Sequence, residues 1–180
     1  MITKEQYTHL AATFTNQFKA AGIALTEGEL AHIEVADFGL GRIGEFGLEL
    51  VVYVNTQRCC AKEMFLTPGQ ICPEHRHPAI QGAPGKEETF RCRKGEVYLY
   101  VSGEPTRNPK GHVPSDKQGC FTVWHEIVLY PGQQYTLTPD TLHWFQGGPE
   151  GAIVSEFSTT SRDEYDIFTD PQIVRAPKIG

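Results

Sequence analysis

A chain of 180 residues with 39% hydrophobic and 21% charged residues has the composition of one folded soluble domain, long enough to bury a single sizeable core. The net charge is −6 and Lys and Arg are scattered, so the basic stripe that grips phosphates is missing and no nucleic-acid partner is expected. No apolar run approaches the roughly 20 residues that cross a bilayer, and "MITKEQYTHL" lacks the basic start and apolar core of a secretory signal, which makes the cytoplasm the expected location.

The first element is a helix over residues 3 to 21. Tyr7, Leu10, Ala11, Phe14 and Phe18 recur at three- and four-residue steps, Thr3 and Gln6 form a capping box, and Gly22 is the stop. Thr26 and Glu29 repeat the box, which predicts a second short helix carrying Leu30 and Ile33 inward and ending near Val35.

From there short β-rich segments follow one another: "GLELVVYVNT", "AKEMFLT", "ETFRCRKGEVYLYVS", "TVWHEIVLYPGQQYTLTP", "TLHWFQGG" and "AIVSEFSTT". Gly and Pro punctuate them, and no intervening helix is long enough for a parallel crossover. A mainly antiparallel all-β sandwich or barrel is therefore expected, with residues 1–46 as a helical extension and 47–180 as the barrel of a single domain. Residues 103–119 read as a long surface loop, and the tail "RDEYDIFTDPQIVRAPKIG" as a segment that wraps the barrel or adds an edge strand.

Two short motifs carry no function. "GLGRIG" is spelled like a dinucleotide-binding turn, but a strand-like segment follows it where a helix is required, and "DFG" lacks every other kinase element. The five cysteines include no C-x-x-C pair and are expected to be reduced packing residues.

"PGQICPEHRHPAIQGAPGKEETFRCRKGE" is the informative stretch. Residues two apart on a strand share a face, so His75 and His77 offer two imidazoles to one point, and Lys86 and Glu88 obey the same rule if their segment is extended. His143, at the start of a later strand, is a further candidate ligand. His9, His32 and His112 are expected to face solvent, and His125 to be a hydrogen-bonded sheet residue. Trp144 and Phe145 point to opposite faces, and both are expected in the core.

Gly69 stands before His75, Glu88 before Gly95, and Gly132, Pro139 and His143 follow in order. Together these resemble the two signature motifs of the cupin superfamily, G-x5-H-x-H-x3-4-E-x6-G and G-x5-P-x-G-x2-H-x3-N. Ten residues, 78 to 87, separate His77 from Glu88 where the consensus has three or four. With that long connector, "LHWFQGG" and "SEFSTTSRDEYDIFTDP", the chain looks like the cupin-type D-lyxose isomerases from about Gly47 to Arg175.

The resemblance implies a double-stranded β-barrel (jelly roll) and a divalent ion, Mn(II) foremost, held by His75, His77, Glu88 and His143. Three imidazoles and a carboxylate also suit Fe, Co, Ni or Zn and leave positions open for substrate. It further implies interconversion of D-lyxose with D-xylulose, and of D-mannose with D-fructose, in a homodimer. Isomerisation needs a base at C2. Glu156, alone among apolar residues in "AIVSEFS", is the first candidate, because an apolar pocket raises a carboxylate pKa toward neutrality. Lys86 is a candidate to stabilise or protonate a substrate oxygen, and the resemblance adds Asp166 as a second acid/base. Two other readings are an Fe(II) dioxygenase on the same ligand set and a non-catalytic sugar-binding barrel.

Overall fold

The computed structural model describes residues 2–175 and 179–180. Helix α1 spans Lys4–Ala20, α2 Glu27–Leu30, and nine strands follow: β1 Glu34–Ala36, β2 Leu48–Asn55, β3 Cys60–Leu66, β4 Ile71–Arg76, β5 Glu88–Val101, β6 His125–Leu129, β7 Gln134–Leu137, β8 His143–Ser158 and β9 Ile167–Phe168.

Both capping boxes form, Thr3 with Gln6 and Thr26 with Glu29. The second helix is shorter than expected: it stops at Leu30, and Val35 belongs to β1, which pairs with β2 and so draws this segment into the sheet. Ile33 is buried, but just outside the helix.

All the strands form an antiparallel sheet that curls into the double-stranded barrel expected of a cupin, and β5 and β8 are long enough to serve both of its walls. The first half of β5 pairs with β7 and with the second half of β8. Its second half pairs with β6 and with the first half of β8. The register shifts between Cys92 and Lys94 and between Gly95 and Val97, where β5 turns from one wall to the other. Gly95 has φ +75, and a Cβ there would lie 2.0 Å from the Gly151 carbonyl oxygen, so the crossing needs a residue without a side chain. "TLHWFQGG" and "AIVSEFSTT" are therefore the two halves of one strand, β8, whereas "TVWHEIVLYPGQQYTLTP" divides at its Pro-Gly turn into β6 and β7.

Strand alternation sorts the apolar side chains into three clusters. Leu50, Met64, Leu66, Val97, Leu99 and Phe145 fill the barrel, while Val51, Phe65 and Ile153 face outward against Phe14 and Phe18 of α1. Tyr7, Leu10 and Ala11 pack at the edge of this second cluster, partly exposed. The third cluster, around Trp144, Tyr100 and Phe121, lies on the outer face of the other wall. Trp144 and Phe145 thus take opposite faces, both in the core.

Residues 103–119 differ from a plain surface loop. Val113 and Lys117 are buried, and Lys117 Nζ bonds Asp170 and Gln172 of the tail at 2.6 Å each. The tail does add an edge strand, β9 on β4; residues 176–178 lie outside the described residues. Cys60, Cys72 and Cys92 are buried packing residues, but Cys59 is exposed because it sits in the turn that joins β2 to β3. All five thiols are free. His9, His32, His112 and His125 are exposed, and His125 Nδ1 lies 3.1 Å from the Glu104 carbonyl.

Candidate metal centre and active site

Strand register brings the histidines together. His75 on β4 is paired directly with His143 at the start of β8, and His77 follows one residue past the end of β4, outside the strand the sequence had suggested for it. The three rings converge with centroids 4.3 to 5.4 Å apart, and one nitrogen from each lies within 4.8 Å of the others. Glu88, the first residue of β5, places Oε1 3.0 Å from His77 Nε2 and 3.1 Å from His143 Nε2. All four side chains are buried.

Their hydrogen bonds fit a metal site. His75 Nδ1 lies 2.8 Å from the Pro73 carbonyl, His143 Nδ1 2.9 Å from the Thr141 carbonyl, and His77 Nδ1 2.5 Å from Asp166 Oδ1. Carbonyl acceptors at His75 and His143 Nδ1 place the proton there and leave Nε2 with the lone pair, and Asp166 holds the His77 Nδ1 proton in the same way, the arrangement that orients metal-binding imidazoles. His143 Nε2 is buried without a hydrogen-bond partner. These residues therefore suit a divalent cation of the borderline class.

Electrostatics support the same arrangement. Burial and the neighbouring imidazoles hold His75 well below the usual histidine range, which keeps its lone pair available. Burial also opposes charge on His77, but the Glu88 and Asp166 carboxylates prevail and lift it to about 9. A cation on Nε2 would displace that proton. Burial works against ionisation of Glu88 too, yet Lys86 and His77 hold it well below the usual carboxylate range. Burial pushes the Asp166 carboxyl up.

Lys86 lies before β5 rather than on it, and its ammonium is buried 2.7 Å from Glu88 Oε2 and 3.2 Å from Glu156 Oε1. Glu156, on β8, is buried, but its surroundings differ from the apolar pocket that its sequence neighbours suggested. Val154 shares its face and packs in the barrel core, but the Glu156 carboxylate itself meets Lys86, the Ser158 hydroxyl at 2.9 Å and Lys62 Nζ at 3.8 Å.

Three further residues complete the polar wall. Lys62 Nζ bonds Ser161 at 2.8 Å and Asp163 at 2.7 Å, while Arg175 reaches Asp163 at 3.2 Å and Glu34 at 2.6 Å. The Lys62, Lys86 and Arg175 charges overcome burial and hold Asp163 well below the usual range. Sequence reading passed these residues over. A lysine on a barrel-facing position of β3, between Ala61 and Glu63, was the one signal available.

These groups line a small cavity together with Phe38, Phe90, Phe145 and Phe168. A larger vestibule lies outside, bordered by Pro78, Ile80, Ala83 and Pro84, and His77, Lys86 and Asp166 line both spaces. The connector between His77 and Glu88, longer than the cupin consensus, is thus the wall of the entrance. It is pinned at Gly85, where a Cβ would lie 2.0 Å from the His77 carbonyl oxygen.

A double-stranded antiparallel barrel with imidazoles and a carboxylate converging inside it defines the class, a cupin. In fold it superimposes on L-ribose isomerase of Cellulomonas parahominis with a TM-score of 0.82 at 16% identity, covering 99% of this chain and 98% of that one. A family model described as D-lyxose isomerase matches residues 23–180. A D-lyxose ketol-isomerase of Thermofilum sp. is 59% identical over 99% of both chains. A D-lyxose ketol-isomerase of Cohnella laeviribosi is 63% identical over 90% of this chain and 89% of its own. The chain belongs to the D-lyxose isomerase family and is a sugar isomerase.

Proposed function

We propose that this enzyme interconverts D-lyxose and D-xylulose, and D-mannose and D-fructose, with a divalent ion, Mn(II) foremost, on His75, His77, Glu88 and His143. The observation that carries the metal reading is the convergence of three buried imidazoles whose Nδ1 atoms all meet oxygen acceptors. The sugar is supported by the names of the relatives, which include a D-lyxose/D-mannose isomerase of Thermosediminibacter oceani, 59% identical over 99% of both chains. A homodimer, a cytoplasmic location and a single domain made of a 1–46 extension and a 47–180 barrel belong to the same proposal.

The reaction moves a proton from C2 to C1 and a hydrogen from the C2 hydroxyl to O1, so no external oxidant or reductant is needed. When bound, the ion supplies Lewis-acid stabilisation for negative charge developing on the substrate oxygens. Glu156 is the base: its carboxylate takes the proton at C2 and returns it at C1. Lys86, 3.2 Å from Glu156, donates a hydrogen bond to a substrate oxygen. Asp166 accepts from His77 Nδ1, which fixes that ring, and is the second acid/base of the proposal. The phenylalanines of the cavity exclude water from the reacting carbons.

The test is turnover of D-lyxose and of D-mannose by metal-stripped protein with and without Mn(II), following ketose. Ketose formed only with metal is the expected result. No ketose from either sugar at full occupancy, with oxygen uptake in the presence of Fe(II), would replace the isomerase chemistry with a dioxygenase.

A further inference from the structure

Strand β4 alternates, so Glu74 points away from the cavity that His75 faces, and a buried carboxylate on the outer side of a barrel needs partners. It has four. Oε2 accepts from the backbone N–H groups of Thr122 at 2.6 Å and Val123 at 3.0 Å, and Oε1 accepts from the hydroxyls of Thr122 at 2.9 Å and Thr169 at 2.6 Å. The residue is 1% exposed, and none of these donors is a cation. Thr169 also donates its N–H to the Glu74 carbonyl at 3.1 Å.

Thr169 directly follows the short strand that carries the tail across the metal-binding residues. β9 has two residues, with Phe168 paired to His75 and Ile167 to Arg76, too few ladder bonds to hold a chain segment by themselves. Asp166 directly precedes it and accepts from His77 Nδ1 at 2.5 Å. The position of Asp166 therefore depends on what anchors the other end of β9. The Glu74 side chain and carbonyl hold Thr169 there, and Lys117 holds the next residue, Asp170.

We propose that Glu74 is a positioning residue for the metal centre, acting through Thr169 and β9 to hold Asp166 against His77. The inference rests on the metal reading above. It assigns to a residue outside the cavity a share of the cation affinity, because the His77–Asp166 hydrogen bond weakens steeply with distance and angle while the packing of β9 does not. The Thr122 and Val123 bonds hold Glu74 from the loop, independently of the tail.

The experiment measures Mn(II) affinity by chelator competition, with amide exchange of residues 166–169, in Thr169→Val, Thr169→Ser, Asp166→Asn and the Thr169→Val/Asp166→Asn double variant. Thr169→Val is expected to weaken Mn(II) binding about tenfold and to speed exchange across the tail, while Thr169→Ser, which keeps the hydroxyl, stays near wild type. In the Asp166→Asn background the Thr169→Val effect is expected to shrink to about twofold, because the link it breaks no longer ends on a carboxylate. Glu74→Gln, which keeps the shape but loses acceptor capacity, is expected to follow Thr169→Val. Unchanged affinity in Thr169→Val, or a tenfold effect that persists in the double variant, would overturn the inference, since a merely structural role would add. Wild-type protein that takes up no Mn(II) would instead overturn the metal reading and the inference with it.

Discussion

Glu156 lies within 3.8 Å of two buried ammonium groups, so its proposed part in the reaction can be tested apart from its contacts in the wall. Glu156→Gln keeps the hydrogen-bonding shape and removes the base. It is expected to leave Mn(II) affinity unchanged and to lower kcat by about 10²- to 10⁴-fold; normal turnover would remove Glu156 from the reaction. Glu49 is a buried carboxylate of a different kind. It lies on the helix-facing side of β2, with Gln70 Nε2 3.2 Å from Oε1 and no partner on Oε2. Burial pushes its pKa up to about 7. The folded state then holds this proton up to about pH 7, whereas the unfolded chain releases it near its ordinary value of 4.5. Between those limits the native state binds more protons, so stability falls as pH rises and levels off above the folded value. The loss is roughly 3 kcal/mol at most. Glu49→Gln is expected to abolish this slope, seen as a smaller drop in Tm between pH 5 and pH 8; an equal drop in both proteins would show that Glu49 does not titrate in this range.

Among the elements, α1 tests whether stability and site are separable. Its buried face is Phe14 stacked on Phe18 at 4.1 Å, with Phe14 meeting Phe65 edge-on, and the opposite face of that wall carries the polar cavity. Phe14→Ala is expected to cost about 3–5 kcal/mol in denaturant unfolding, with Mn(II) affinity unchanged. Weakened metal binding would mean that the helix layer sets the barrel geometry as well as its stability. β4 presents the contrary case, since its residues serve both sides at once, His75 inward to the metal centre and Glu74 outward to the loop and tail.

For the whole molecule, the proposed ligand set comes from the end of β4, the residue after it and the starts of β5 and β8, so a cation there would join residues from 75 to 143 of the chain. Such a ligand binds the native state and not the unfolded chain. At a free concentration about 100 times Kd, Mn(II) is expected to stabilise the protein by about 2.7 kcal/mol, and chelator to reverse the rise in Tm. No shift with metal, against a normal shift in a known Mn(II) protein, would contradict the proposed site.

The amino-acid sequence by itself determined the features that depend on short-range chemistry. The two capping boxes, the apolar repeat of α1, the β-rich character of most strand segments and the His75/His77 pair all follow from residues within a few positions of one another. The resemblance in "HPAIQGAPGKEETF" and "LHWFQGG" extended this to Glu88 and His143, and to the family. Only the tertiary structure decided what surrounds Glu156, because Lys62 and Lys86 arrive from β3 and from the connector before β5. It likewise decided that Val35 pairs as strand instead of continuing a helix, that Lys117 is buried under the tail, and that Asp163 and Arg175 reach the cavity. The reason is common to all of these. Charge pairing and sheet register are set by contacts between residues far apart in the chain, and local pattern carries no record of which distant partner a side chain will meet.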